Sequence, residues 1–243
     1  MAKVLLKALD ILALFDGNRP VWAEHEVASA LDLPTSTAHR LLASLRSRGY
    51  VVRTDGGRYR LGPAAVALGR RAGDLTVGPT LRAALEHLAA DTGETALVGV
   101  RDPTGEGLLI LDRIESPHRL RISLEVGHVI PLHAGAASKA LLAHLAPADI
   151  EQVVTGPLPR IGPATITDRD LLLRDLERVR RHGHARSCEE ATEGGWAVAS
   201  PVFGVGGEAE AVLGMIAPVA RHSDAAEESA VAAIGRAVSE AGE

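Results

Sequence analysis

The chain has 243 residues, of which 46% are hydrophobic and 2% aromatic, and its net charge is −5, which allows one large domain or two small ones with aliphatic cores. No apolar run reaches the roughly 18–20 residues that cross a membrane, and the N-terminus lacks a secretory signal, so we expect a soluble protein. The single cysteine, Cys188, excludes an internal disulfide and fits the cytoplasm.

Three helices are predicted near the N-terminus. The first has apolar residues at three- and four-residue intervals from Leu5 to Phe15, with Leu9 among them, and the second runs from about Ala23 to Ala30. After a short turn that ends at Pro34, the third helix begins at Thr35 or Ser36, whose hydroxyl can cap it. Its apolar side is predicted to contain Ala38, Leu41, Leu42 and Leu45.

The opposite side of the third helix is small, polar and basic, and no acidic residue occurs between Ser36 and Gly49. Short side chains let a helix approach base edges in the major groove, and hydroxyl and guanidinium groups donate to phosphates. This pattern predicts a recognition helix, although a solvated arginine-rich face is the simpler interpretation of the segment taken alone. The candidate DNA contacts are Thr35, Ser36, Thr37, His39, Arg40 and Ser44.

A hairpin is predicted after the third helix, because two short β-prone runs are joined by Asp55-Gly56-Gly57. It completes a winged helix-turn-helix, in which the wing arginines Arg53, Arg58 and Arg60 can reach phosphates or the minor groove. Residues 1–73 carry a charge of +5 and residues 74–243 a charge of −10, so we expect the basic segment to bind duplex DNA. A winged-helix module that binds protein is the alternative, and its affinity would fall less steeply with salt.

The residues after the wing predict a linker and then a second domain. A helix from Ala64 to about Ala72, ended by Gly73-Asp74, can serve as a linker and also as a dimer contact. Beyond it, strands alternate with helices, and hairpins indicate an α+β domain. Strands are predicted over 96–100, 108–114, 120–126, 196–203 and 211–217, and helices over 81–92, 138–145, 168–181 and 225–241.

Six segments, in chain order, resemble the IclR family of bacterial transcription regulators. KALDILALF, LDLPTSTAHRLLASLRSRGYV and GRYRLGPAAVALG resemble its DNA-binding domain, and PLHAGAASKALLAHL, RHGHARSCEEATEGG and AVASPVF resemble its effector domain. The resemblance implies a GAF-like α/β effector-binding domain, a small-molecule effector, and homodimers or homotetramers on a palindromic operator.

The resemblance also implies an effector pocket beside the helix that follows HAGAAS, whose free N–H groups suit a carboxylate. Family members that bind small organic acids often have an acid or cysteine at the places of Ser187 and Ala197, and serines at two further places. This chain is less polar there, so we expect a larger, more apolar pocket with Trp196 as a wall, the alternative being that Trp196 is a core residue. The candidate effector contacts are Ala136, Ala137, Ser138, Ser187, Gly195, Trp196, Ala197, Gly214 and Ile216.

An enzyme with a nucleic-acid docking domain is the competing class, and it would need a reactive cluster in the second domain. Gly204-x-Gly206 does not open a helix as a phosphate loop does, and Ser138 and Lys139 point about 100° apart on their helix. His182, His184 and Cys188 match no strong zinc spacing. Glu189-Glu190 is expected at the surface or in a turn. We therefore expect no catalytic residue, no metal and no cofactor.

The sequence thus predicts an α+β chain with a winged helix-turn-helix domain over 1–62, a linker helix over 63–74 and a GAF-like α/β effector-binding and oligomerisation domain over 75–243. The predicted function is that of a cytoplasmic IclR-type transcription regulator, with a repressor favoured over an activator. The expected partners are double-stranded operator DNA, a small effector such as an organic acid or aromatic metabolite, and further copies of the chain. No membrane partner is expected.

Overall fold

The computed structural model describes residues 2–15, 19–105 and 107–242. The backbone divides into two compact units, Met1–Thr76 and Val77–Glu243. Within the described ranges, none of the helices combines the length and the apolar character needed to cross a lipid bilayer.

The described residues of the first unit form helices and one hairpin, in the predicted order. The helices are α1 (Ala2–Ala13), α2 (Glu24–Ala30), α3 (Thr35–Ser47) and α4 (Pro63–Thr76), and the antiparallel hairpin strands are β1 (Val51–Arg53) and β2 (Tyr59–Leu61). Gly56 and Gly57 in the connecting turn both have positive φ, a backbone conformation that glycine adopts without strain. Helix, turn, helix and hairpin together make the predicted winged helix-turn-helix.

One aliphatic core holds the first unit together. Ile11 of α1, Val27 of α2, Leu42 of α3 and Val51 of β1 are all fully buried. Trp22 joins the hairpin to the helices, because its backbone pairs with that of Tyr59 while its Nε1 donates to the Leu14 carbonyl at 2.8 Å. The buried side of α3 thus packs in this core, which fixes the position of the exposed side.

Two predicted details of the first unit are wrong. Helix α3 has Pro34 at its N-cap and no side-chain cap, because Thr35 and Ser36 already lie in the first helical turn. Leu5 and Leu9, which belong to the apolar pattern predicted for the first helix, are 64% and 52% exposed, since α1 contacts the core through Ala8, Ile11 and Leu12.

The second unit is a six-stranded antiparallel sheet with helices on both faces, as far as the described residues show. The strands are β3 (Thr95–Arg101), β4 (Gly107–Ile114), β5 (Val129–Pro131), β6 (Ala185–Cys188), β7 (Gly195–Phe203) and β8 (Ala209–Pro218), in the order β5-β4-β3-β8-β7-β6. The helices are α5 (Pro79–Thr92), α6 (Ala136–Leu142), α7 (Pro147–Thr155), α8 (Arg169–His182) and α9 (Asp224–Ala241). The α+β prediction is confirmed.

Alternate residues of each strand enter two separate cores, because successive side chains of a strand point to opposite faces of the sheet. On β7, Ala197 and Ala199 face the core that contains α6, α7 and α8. Trp196 and Val198 face the core that contains α5 and α9. Only the first of these faces carries the predicted effector positions Ala136, Ala137 and Ala197.

Three predicted boundaries in and around the second unit need correction. Residues 120–126 are not a strand, and side chains rather than a neighbouring strand bind two of their carbonyls: Thr95 Oγ1 donates to Ile122 O at 2.8 Å and Arg221 Nη1 to Leu120 O at 3.0 Å. The strand beside β4 is β5, and neither α7 nor β6 was predicted. Helix α4 continues through Gly73-Asp74 to Thr76, since one glycine costs a helix only about 1 kcal/mol.

A buried ion network anchors α6, all of whose residues are buried. Lys139 Nζ lies 2.5 Å from Glu190 Oε1 and 2.8 Å from Asp175 Oδ2 of α8, and donates to the Arg186 carbonyl of β6 at 3.1 Å. An ammonium group has three donors, so each has an acceptor. Glu190, expected at the surface or in a turn, lies in the bend after β6 and is buried beside a counter-charge. Burial raises the pKa of the Glu190 carboxyl, and Lys139 opposes that shift.

We expect Lys139→Met to lower the free energy of unfolding by about 3–5 kcal/mol, because it removes the cation between two buried carboxylates. Urea denaturation of the full chain measures the change. As a control, Arg236→Met removes the exposed pair with Asp91 and should cost about 1 kcal/mol or less. A Lys139→Met protein as stable as the Arg236→Met protein would contradict the role assigned to the network.

Candidate functional site

The outer face of α3 presents most of the predicted DNA contacts to solvent. Thr35, Ser36, His39, Arg40 and Ser44 are exposed and Thr37 is half-buried, whereas the opposite side of the helix is buried in the core. Two of these side chains have internal partners: Ser44 Oγ donates to the Arg40 carbonyl at 2.9 Å, and His39 Nδ1 lies 2.9 Å from Glu24 Oε2.

The three predicted wing arginines are exposed but differ in their partners. Arg58 Nη2 lies 3.3 Å from Glu26 Oε2 of α2, whose other oxygen lies 2.5 Å from Arg19. The hydrogen bond from the Ala23 N–H, reinforced by these two guanidinium groups, lowers the pKa of Glu26. None of the ion pairs formed by described residues of the first unit involves Arg53, Arg60 or Arg40. The charge of Arg58 is thus partly offset by Glu26, whereas Arg40, Arg53 and Arg60 are exposed and form no ion pair with the described residues.

The predicted effector positions converge on one cavity in the second unit. It lies between the start of α6, strands β3, β6, β7 and β8, and the connection that precedes β5. Its volume is about 40 Å³, room for about three water-sized spheres. Seven of the nine predicted residues line it: Ala136, Ala137, Ser138, Ser187, Gly195, Ala197 and Ile216.

Trp196 and Gly214 do not line the cavity. Trp196 follows Gly195 on β7 and therefore points to the other face, where its ring lies 5.0 Å from that of His222. Gly214 is on the cavity face of β8, but a Cβ there would lie 3.1 Å from the Ala199 Cβ, so its surroundings are already filled. The expected large pocket with a tryptophan wall is replaced by a small one without it.

Sequence reasoning missed the residues that make the cavity small. Leu97 of β3, Leu124 and Ile130 of β5 narrow it, and Glu190 forms part of its polar edge. No local pattern marks these positions, because they reach the cavity only through strand pairing and loop placement. The further lining residues are Leu97, Leu124, Ile130, Ala134, Gly135, Glu190, Ala191 and Thr192.

Some of the polar groups at the start of α6 are hydrogen-bonded within the protein, and others have no partner among the described residues. The Gly135 N–H donates to Glu190 Oε2 at 3.2 Å and the Ala136 N–H to Ser187 Oγ at 3.0 Å, so these two donors are not free as expected. The next two N–H groups, of Ala137 and Ser138, have no intrahelical partner at a helix start. Ser138 Oγ is buried without a hydrogen-bond partner among the described residues.

The other clusters considered as catalytic or metal sites form hydrogen bonds and ion pairs within the fold. Arg186 Nε donates to His184 Nε2 at 3.1 Å, and Gly204 and Gly207 close the β7–β8 hairpin through a 2.9 Å hydrogen bond. Lys139 is committed to its buried acids and does not face Ser138. Within the described ranges, no three His, Cys, Asp or Glu side chains are grouped so that they could hold a metal ion.

Comparisons with known proteins agree with this organisation. The family description "IclR helix-turn-helix domain" matches residues 4–55, and "Bacterial transcriptional regulator IclR C-terminal" matches residues 73–241. The chain is 35% identical over 230 residues to the HTH-type transcriptional regulator BhcR of Paracoccus denitrificans, covering 92% of this chain and 80% of BhcR.

Two further proteins extend the comparison. The transcriptional repressor IclR of Escherichia coli is 31% identical over 230 residues, covering 90% of this chain and 80% of the repressor. The crystal structure of an IclR homolog from Microbacterium hydrocarbonoxydans, complexed with 4-hydroxybenzoate, superposes with a TM-score of 0.77 at 25% identity, over 97% of this chain and 99% of that one. These proteins are transcription regulators and not enzymes, and the present chain belongs to the same family, the IclR-type DNA-binding transcription regulators.

Proposed function

We propose that this regulator binds operator DNA through α3 and the wing, and that a small effector in the cavity beside α6 controls its operator affinity. In this proposal residues 1–62 bind DNA, residues 63–74 link the two domains, and residues 75–243 bind the effector. Residues 75–243 also assemble the chain into a homodimer or homotetramer, and the protein acts in the cytoplasm. The observation that carries the DNA-binding part is the exposed face of α3, on which the cationic Arg40 forms no ion pair with the described residues.

The proposed DNA contacts fall into two classes. Thr35, Ser36, Thr37, His39, Arg40 and Ser44 belong to α3, whose first turns present short side chains, as a helix in the major groove requires. Arg53, Arg58 and Arg60 belong to the wing, where arginines suit backbone phosphates. Since Arg58 already pairs with Glu26, we expect it to contribute less to phosphate binding than Arg53.

Arg40→Ala should weaken operator binding by about 1–3 kcal/mol and relax the preference at one base pair, because the variant lacks the guanidinium that would recognise that base.

Arg53→Ala should weaken binding to all duplexes about equally and reduce the salt slope by about 1, because the variant lacks one contact to a backbone phosphate. Fluorescence anisotropy on operator and random duplexes over a salt series measures both. An even loss on every sequence in Arg40→Ala would reassign that residue to phosphate.

A small molecule with an acceptor group at one end and a short apolar body fits the cavity best. Ser138 Oγ and the N–H groups of Ala137 and Ser138 can donate to a carboxylate or carbonyl, and the remaining lining is mostly aliphatic. A cavity that admits benzene is about 150 Å³, whereas this one is about 40 Å³. We therefore propose a short-chain organic acid; an aromatic acid, as in the Microbacterium complex, would need the lining to move.

Ala197→Leu should abolish the effector response, because the larger side chain fills the cavity, and Ser138→Ala should weaken it about tenfold by removing a hydrogen bond to a charged group. The measurement is the shift in operator affinity, by anisotropy, with two- to four-carbon carboxylic acids and with 4-hydroxybenzoate. Ala225→Leu, the same change on the exposed side of α9, is the control. A response in Ala197→Leu equal to that of the control would exclude the cavity.

We propose a repressor, in line with the E. coli relative, with activation as the alternative. Genome-wide capture of bound DNA, followed by transcript measurement with and without the regulator, tests the function and its direction. Bound genes should rise in transcript level when the regulator is deleted. A fall would identify an activator, and the absence of any reproducibly bound promoter would overturn the proposed function.

A further inference from the structure

A second concavity, of about 280 Å³, lies where the last two turns of α8 meet β6. Its walls are mostly nitrogen-bearing side chains, and its only acidic lining residue among those described is Asp175. We call it the α8–β6 groove. It shares no lining residue with the cavity beside α6. Its lining residues are Asp175, Arg178, Val179, His182, His184 and Arg186.

Several hydrogen-bond donors of the groove are unused. Arg178 is bound only through Nη2, to Asp175, and Arg186 is bound through Nε and Nη1, to His184 and Glu227. The remaining guanidinium nitrogens, Nε and Nη1 of Arg178 and Nη2 of Arg186, have no partner among the described residues, nor does either ring nitrogen of His182. Both arginines are more than half exposed.

The acceptors of the groove, in contrast, are already occupied. Both oxygens of Asp175 have cationic partners, Lys139 and Arg178. The carbonyls at the end of α8 are also covered, since His184 Nδ1 lies 3.1 Å from His182 O and Ser200 Oγ donates to Gly183 O at 2.8 Å. Burial and the adjacent Arg186 lower the pKa of His184, which agrees with its Nε2 accepting from Arg186.

Among the described residues, the groove therefore offers free N–H donors but no free acceptors, so a ligand that fits it must carry hydrogen-bond acceptors. Guanidinium groups bind phosphate and carboxylate oxygens through paired N–H donors, and two arginines and two imidazoles line the groove. We propose that the α8–β6 groove is a binding site for a small oxyanion, namely inorganic phosphate or a dicarboxylate, held by Arg178, Arg186 and His182. The proposal is independent of the effector assigned to the cavity beside α6.

Isothermal titration calorimetry of the full chain, with inorganic phosphate and with succinate at constant ionic strength in chloride, tests the site. Binding of either probe both to the wild type and to Ala197→Leu, whose cavity beside α6 is filled, supports the groove, and the stronger of the two probes identifies the oxyanion class. The variant Arg178→Gln/Arg186→Gln should bind that probe about tenfold or more weakly, since charge-assisted hydrogen bonds are lost. The control Arg169→Gln/Arg236→Gln removes two exposed ion pairs away from the groove, with Glu151 and Asp91, so it has the same charge change and should bind like the wild type.

His182→Ala provides a second variant that leaves every ion pair of the groove intact, and it should weaken binding several-fold without altering the thermal midpoint. Failure of both probes to bind the wild type would overturn the proposal. So would equal affinity in the wild type, His182→Ala and the double variant. These outcomes do not depend on DNA binding or on the response to the effector, so they leave the proposed function to its own tests.

Discussion

A single buried ammonium group holds together the part of the second unit that contains the cavity. Lys139 joins α6 to Asp175 of α8, to Glu190 and to the backbone of β6. Transferring two carboxylates and an ammonium group from water into the protein interior costs several kcal/mol per ion, and only close pairing of the charges offsets this cost. The start of α6 is therefore fixed relative to the sheet, and Glu190, one residue of the network, also accepts from the Gly135 N–H at the cavity edge.

The two units use charge in opposite ways. On the first unit, exposed arginines such as Arg40 and Arg53 face solvent without counter-ions among the described residues, so their field extends outward, as a DNA-binding surface requires. In the second unit, charges such as those of Asp175 and Glu190 are buried and paired, so they determine internal geometry. Glu26 is an exception in the first unit, since it ties Arg58 of the wing to α2 and reduces the cationic surface of the wing.

Much of the fold was predictable because local signals agreed. Helix α3, the glycine turn of the wing and the β7–β8 hairpin follow from periodicity and turn residues. The position of the strand after β4 was not predictable, because two carbonyls within residues 120–126, of Leu120 and Ile122, are bound by side chains distant in sequence. The cavity lining was predicted in part by family resemblance, but its size depends on Leu97, Leu124 and Ile130, which only tertiary packing brings there. Asp175 carried an unused signal: it lies on the apolar stripe of α8 between Leu172 and Leu176, and an acid in such a position indicates a buried cation.

Strand β6 lies at the edge of the sheet, where unpaired backbone groups can recruit a strand from another molecule and start aggregation. Here the Arg186 carbonyl accepts from Lys139 Nζ, and the carbonyls of Glu189 and Glu190, just beyond the strand, accept from the N–H groups of Ala164 and Gly162 at 3.1 and 3.0 Å. The side chain that neutralises two buried acids thus also occupies a carbonyl of this border strand, where an incoming strand would otherwise find an acceptor.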